Sequence, residues 1–209
     1  MVNVDKNSEK SRRMQGKRSL ANLEACKLEL KKELNELNKT FKEALEKTQQ
    51  VMMNFPPMSR SRSLEASIMQ SFFAEVLFKN FGDRAFYGKY KRLILSIKGY
   101  IILFKKLDKK GMPMNIYTSN VQGIMSQNMT LDLFSSSSYN DAPILYFGYQ
   151  KSKIGEYINP QLVYIDEGKV VFSISIDEFG DKTVSIRSNN GEVVEPKLKN
   201  KDKNNIKAV

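Results

Sequence analysis

The chain has 209 residues, 41% of them hydrophobic, and a formal net charge of +11, which allows one ordinary domain with polar ends. Histidine is absent and cysteine occurs once, at Cys26, so catalytic triads and zinc hydrolases of the usual make, an internal disulfide and any multi-thiolate metal site are excluded. No run approaches the roughly 18 uncharged apolar residues of a membrane span, and the first twenty residues lack the apolar centre of a secretion signal, so the reading is cytoplasmic, with no membrane contact.

Residues 1–18, with Arg12, Arg13, Lys17 and Arg18 and few apolar side chains, read as a flexible basic tail. A helix is predicted over 19–53, capped by Ser19 and stopped by Pro56 and Pro57; at about 1.5 Å per residue its length is on the order of 50 Å. Between Leu20 and Val51 it keeps an apolar stripe for nearly five heptads, with Leu20, Leu34 and Phe41 at one seam position and Leu23, Leu30, Leu37, Ala44 and Val51 at the other. Such a face must find a partner. The expectation is a coiled-coil-like helix that homo-oligomerises or binds another protein through these residues; the rival is a helix folded back on its own domain. Lys27 and Thr48 interrupt the seam, and Glu29, Glu33, Glu36, Glu43, Lys31, Lys32 and Lys47 lie off it with alternating sign.

Asn54 to Ser63 (NFPPMSRSRS) reads as a hinge and domain boundary. An α+β domain is expected over 64–196. It starts with a helix capped by Ser63, whose stripe of Leu64, Ile68, Phe72 and Val76, with Met69, Phe73 and Leu77, reads as core. Strands follow at Arg92 to Ile97 and Tyr100 to Leu107, separated by Lys98-Gly99, and Asp108 to Gly111 returns the chain through Met114 to Thr118. A short helix is expected around Val121 to Gln127, a loop at Ser135 to Asp141 and a strand at Ile144 to Tyr149. Leu162 to Ile176 reads as a hairpin turning at Glu167-Gly168. A second pair, Thr183 to Arg187 and Glu192 to Val194, closes the sheet before a basic tail at 197–209. The fold class is α+β: a long N-terminal coiled-coil-like helix, one packed helix, then a mostly antiparallel sheet.

Charge is segregated along the chain: 79–110 sum to +8 and 111–196 to −5. That pattern suggests a face built for a polyanion or an acidic partner. The candidate nucleic-acid contacts are Lys89, Lys91, Arg92, Lys98, Lys105, Lys106, Lys109 and Lys110, with Tyr87, Tyr90 and Tyr100 to stack on bases. Inward-facing aromatics with lysines solvating the outer face are the plainer alternative.

Glu167-Gly168-Lys169, with Glu65, Asp132, Asp141 and Asp166, offers the residue types of a magnesium nuclease, but Glu167 and Gly168 suit a turn better. Asp177, Glu178 and Asp181 around Phe179-Gly180 fit a charged turn without a cation. No glycine motif cradles phosphate. No catalytic residue, metal or cofactor is assigned.

The lysine- and asparagine-rich composition, the stretch KGYIILFKKLDKKGMPMNIYTSNVQGIMSQ from Lys98 to Gln127 and the segment Ile144 to Ile158 resemble small proteins carried by phages and mobile elements of low-GC Gram-positive bacteria. The resemblance covers about half the chain and transfers no functional residue. It implies phage replication, regulation or conflict with host defences. The combined expectation is a non-enzymatic protein that oligomerises through its N-terminal helix and contacts nucleic acid or a nucleoprotein through the basic-aromatic face. The alternatives are a module that binds or inhibits a host or phage protein, and a magnesium-dependent nuclease.

Overall fold

In the computed structural model, which describes residues 16–61, 63–129, 141–153 and 155–177, the predicted N-terminal rod is two helices. Helix α1 spans Leu23–Glu29 and α2 spans Lys31–Met53. The cap is Asn22, not Ser19: its side-chain oxygen accepts from the amides of Glu24 and Ala25 at 2.9 and 3.3 Å, as an N-cap should. No glycine or proline stands at the break, and Leu30, which occupies it, is fully buried. Tertiary packing rather than local sequence interrupts the rod.

The stripe finds its partner within the chain. Leu30, Leu34, Leu37, Phe41 and Ala44 are buried in one cluster with residues of the next helix and the sheet. Leu23 packs at the edge of that cluster, Val51 is half-buried and Leu20 is exposed. The continuous intermolecular seam expected from the heptads is therefore corrected to an internal face, and an oligomer would need another surface. Thr48, a seam interruption, satisfies its buried hydroxyl by donating to the Ala44 carbonyl at 2.7 Å.

Helix α3, Leu64–Phe81, runs back antiparallel to α2. Lys47 pairs with Glu75 at 2.8 Å, Lys79 with Glu43 at 3.5 Å, and the Asn80 side chain donates to the Thr40 hydroxyl at 2.9 Å. Because α2 and α3 share one core, the prolines of 54–63 mark a reversal inside it, with a short 3-10 turn at Pro57–Ser59. Ser63 makes no side-chain cap bond.

Six strands follow: β1 Ala85–Gly88, β2 Arg92–Ile97, β3 Tyr100–Lys106, β4 Ile144–Lys151, β5 Tyr157–Asp166 and β6 Lys169–Ser175. They lie side by side in chain order. Every neighbouring pair is antiparallel except β3 and β4, which are parallel. Strand β1 is an addition to the expected elements, and the expected reversal at Asp108 to Gly111 brings the chain back through an isolated bridge between Leu107 and Pro113. The hairpin at Glu167-Gly168 is as expected, both residues having the positive φ that a tight two-residue turn requires.

Side chains alternate across the sheet. Leu93, Leu95, Ile97, Ile102, Leu145, Phe147, Leu162 and Tyr164 face α1, α2 and α3. Ile94, Ile101, Leu103, Ile144, Tyr146, Val163 and Ile165 face the second layer, formed by Leu107 and by Ile124 and Met125 of α4, Ser119–Met125.

The second layer is pinned by Gln127. Its amide nitrogen donates to the carbonyls of Ile144 and Ile165 at 2.9 and 2.7 Å, and its oxygen accepts from the Ile144 amide at 2.9 Å. Replacing it with leucine keeps the bulk but leaves three buried backbone groups unpaired. The expected loss is about 3 kcal/mol, read as a lower urea midpoint with an unchanged slope.

Residues 16–19 are not part of a tail. The Arg18 amide donates to the Gln127 carbonyl at 2.7 Å and the Ser19 amide to the Asp141 carbonyl at 3.0 Å. The Arg18 side chain is fully buried and donates to the Ala142 carbonyl at 3.1 Å. Lys17 bridges Asn128 and pairs with Glu167 at 3.3 Å. The remainder of the predicted tails, the loop at 135–140 and the strand pair at 183–194 lie outside the described residues. Among the described residues no helix is long and apolar enough to cross a membrane.

Candidate nucleic-acid interface

The register of the sheet sorts the predicted contact residues. Strand β2 starts where β3 ends, so the β1–β2 connection (Lys89, Tyr90, Lys91), Arg92, Lys105, Lys106 and the turn bearing Lys109 and Lys110 share one end of the sheet. Lys98 and Tyr100 sit at the other end. Lys98 pairs there with Glu33 at 3.1 Å and also donates to the Glu29 carbonyl. Tyr100 is buried, and burial together with hydrogen bonding to Cys26 raises its hydroxyl pKa. Both are therefore corrected: they belong to the packing of α1 and the β2–β3 turn. Tyr87 is half-exposed, with Phe78 edge-on at 5.2 Å.

The ends differ in charge. Lys151 and Lys153, at the close of β4, and Arg60, in the α2–α3 connection, join the basic end, whereas Glu29, Glu33, Asp166 and Glu167 belong to the opposite end with Lys17 and Lys98. Some basic-end cations are already engaged. Lys151 pairs with Glu65 at 2.6 Å, and Arg60 donates to the carbonyls of Phe55 and Met52 at 2.9 and 2.8 Å. Lys91, Arg92, Lys105 and Lys106 are in no ion pair with any described carboxylate.

Alternation places Phe104 and Lys106 on the helical side of the sheet and Arg92 and Lys105 on the other, so the cations bracket its end. Arg92 keeps one terminal nitrogen buried without a hydrogen-bond partner, a costly state for a guanidinium. Burial, reinforced by the nearby Arg92 charge, lowers the pKa of Lys105.

On the helical side a cavity of about 370 Å³ opens at this end, between α3, the β1–β2 connection and the last residues of β3 and β4. Four phenylalanines form its base. Phe73 lies 4.9 Å from Phe104 and stacks on Phe147 at 5.7 Å, while Phe41 meets Phe147 edge-on at 5.9 Å. Met69 and Gln70 supply the α3 wall, Lys91 and Lys106 stand among its cations, and among the described residues no acidic one lines it. Tyr90 is 77% exposed. Tyr90 and Lys91 both have positive φ, at 60° and 53°, a conformation that costs a bulky residue of order 1 kcal/mol.

The cavity was not readable in the sequence, because its rings come from α2, α3, β3 and β4, and each looked like ordinary core. The nuclease arrangement fails on geometry: Glu167 is a turn residue paired to Lys17, Glu65 is paired to Lys151 at the other end, and Asp132 lies outside the described residues. Among the described residues no group of three acidic or thiol side chains is close enough to hold a metal ion. No protein-family model, curated protein or solved structure matches this chain.

Proposed function

We propose that this chain is a non-enzymatic binding protein that presents the basic end of its sheet to nucleic acid or a nucleoprotein. The observation that carries the reading is the gathering of Lys91, Arg92, Lys105 and Lys106, in no ion pair with a described carboxylate, at one end of the sheet beside an aromatic-based cavity. Uncompensated cations raise the free energy of the folded protein unless a polyanion meets them, and the exposed Tyr90 ring beside them suits a base better than water. The compositional likeness to phage and mobile-element proteins supports a role in replication, regulation or defence conflict.

Binding to a labelled oligonucleotide should be strongly salt-dependent. With about four phosphate contacts, affinity should fall roughly 100-fold between 50 and 200 mM salt. Glutamate at both Lys105 and Lys106 should abolish it with the thermal midpoint unchanged within a few degrees. Failure to retain any nucleic acid at the lower salt would end the proposal.

A second reading is favoured by one feature: exposed Met114, Ile116 and Tyr117 adjoin the same end, since the Met114 amide donates to the Lys106 carbonyl at 2.9 Å. Apolar exposure beside cations suits an acidic protein partner. Recovery of one defined protein after nuclease treatment would favour it.

A further inference from the structure

We infer that the cavity at the basic end seats a single unpaired nucleotide, which makes single-stranded nucleic acid the ligand class; this rests on the nucleic-acid reading above. Size argues for it first. About 370 Å³ is at the small end of the range for small-molecule sites. A base pair within a duplex keeps its faces buried in the stack and cannot enter, whereas a base of a flexible strand can.

The chemistry of the wall is consistent with that occupant. Phe104 is half-buried and offers a ring from the cavity base, and Tyr90 stands at the mouth with the Lys89 ammonium 6.0 Å from its ring centroid. A base held between two rings gains stacking whatever its identity. Gln70, on α3, brings an amide that both donates and accepts, matching the edge of any base. Lys91 and Lys106 can take the flanking phosphates. A carboxylate-rich peptide would use the cations but leave the aromatic base unoccupied.

Positive φ at Tyr90 and Lys91 belongs to the tight β1–β2 turn, which holds the Tyr90 ring at the cavity mouth. The connection could close β1 onto β2 with glycine or asparagine at no strain. Instead it carries a tyrosine and a lysine.

The test uses the full chain and fluorescence anisotropy with a labelled oligothymidylate of about eight nucleotides, a duplex of equal length, and inorganic tripolyphosphate and polyglutamate as competitors. The single strand should bind at least tenfold more tightly than the duplex. Tyr90→Asn, which keeps a residue tolerant of positive φ, should lower single-strand affinity about tenfold without changing its salt slope or the duplex affinity. Lys106→Gln should instead reduce the salt slope by about one. Equal binding of single strand and duplex, with Tyr90→Asn affecting neither, would overturn the nucleotide seat and leave the nucleic-acid surface standing. Tripolyphosphate or polyglutamate displacing the strand as effectively as free oligothymidylate would also overturn it. Absence of binding to either nucleic acid would remove both proposals together.

Discussion

Leu37→Ala should destabilise the protein by about 3 kcal/mol, and the loss should be the same at every protein concentration. Leu37 is fully buried in the cluster joining α2 to α3 and the sheet, so truncation forfeits both transfer free energy and packing. A seam shared between chains would behave otherwise, because each tenfold dilution would then lower stability by about 1.4 kcal/mol. Leu28 is the control, since it lies on the neighbouring helix α1 but is exposed, and Leu28→Ala should move stability by less than about 0.5 kcal/mol. Urea midpoints at two concentrations, with mass in solution for both variants, decide the matter. A concentration-dependent midpoint would mean that the helices pair between molecules after all.

Gly148→Ala should cost a similar amount, about 3 kcal/mol, for a different reason. Gly148 pairs with Lys105 across the parallel β3–β4 ladder, and Leu107 crosses directly over it. An added methyl would meet the Lys105 carbonyl well inside van der Waals contact and the Leu107 side chain at 2.5 Å. Backbone atoms of a sheet cannot step aside as a flexible side chain can. Adding Leu107→Ala should therefore recover only part of the loss, since it removes the side-chain overlap and leaves the carbonyl overlap; full recovery would show that the carbonyl contact is unimportant. The same variant should also weaken binding, because it pushes apart the strand end that carries Lys105 and Lys106.

How far the sequence could be read differs by element. The β5–β6 hairpin was legible because Leu162 to Ile176 alternates with period two around Glu167-Gly168, a purely local signal. Strands β2 and β3 were legible as runs rich in Ile, Leu and aromatic residues split by Lys98-Gly99, whereas β1, four residues at the sheet edge, is too short to stand out. Heptad spacing located the buried face of α2 correctly but not its partner, since an internal face and an intermolecular seam demand nearly the same periodicity. Lys98 was grouped with Lys105 and Lys106 by proximity in the chain. A strand advances about 3.3 Å per residue, so the turn at Lys98 lies on the order of 20 Å from the far end of β3. Arg18 carried no signal at all: a buried arginine inside a basic run looks like any solvated one until the carbonyl it serves is known.

The parallel pairing of β3 with β4 also sets an order of events during synthesis. Helices α1 to α3 and strands β1 to β3 are all encoded before residue 107 and make antiparallel neighbours close in the chain. At ordinary translation speeds the stretch 107–143 takes roughly 2 to 7 s to emerge. For that interval β3 is an open border of the sheet, and Ile101 and Leu103 lack the layer that later covers them, because β4 has not yet emerged. A chain released just beyond Lys110 should therefore aggregate or recruit a chaperone, while the whole chain, with β4 to β6 in place, should not.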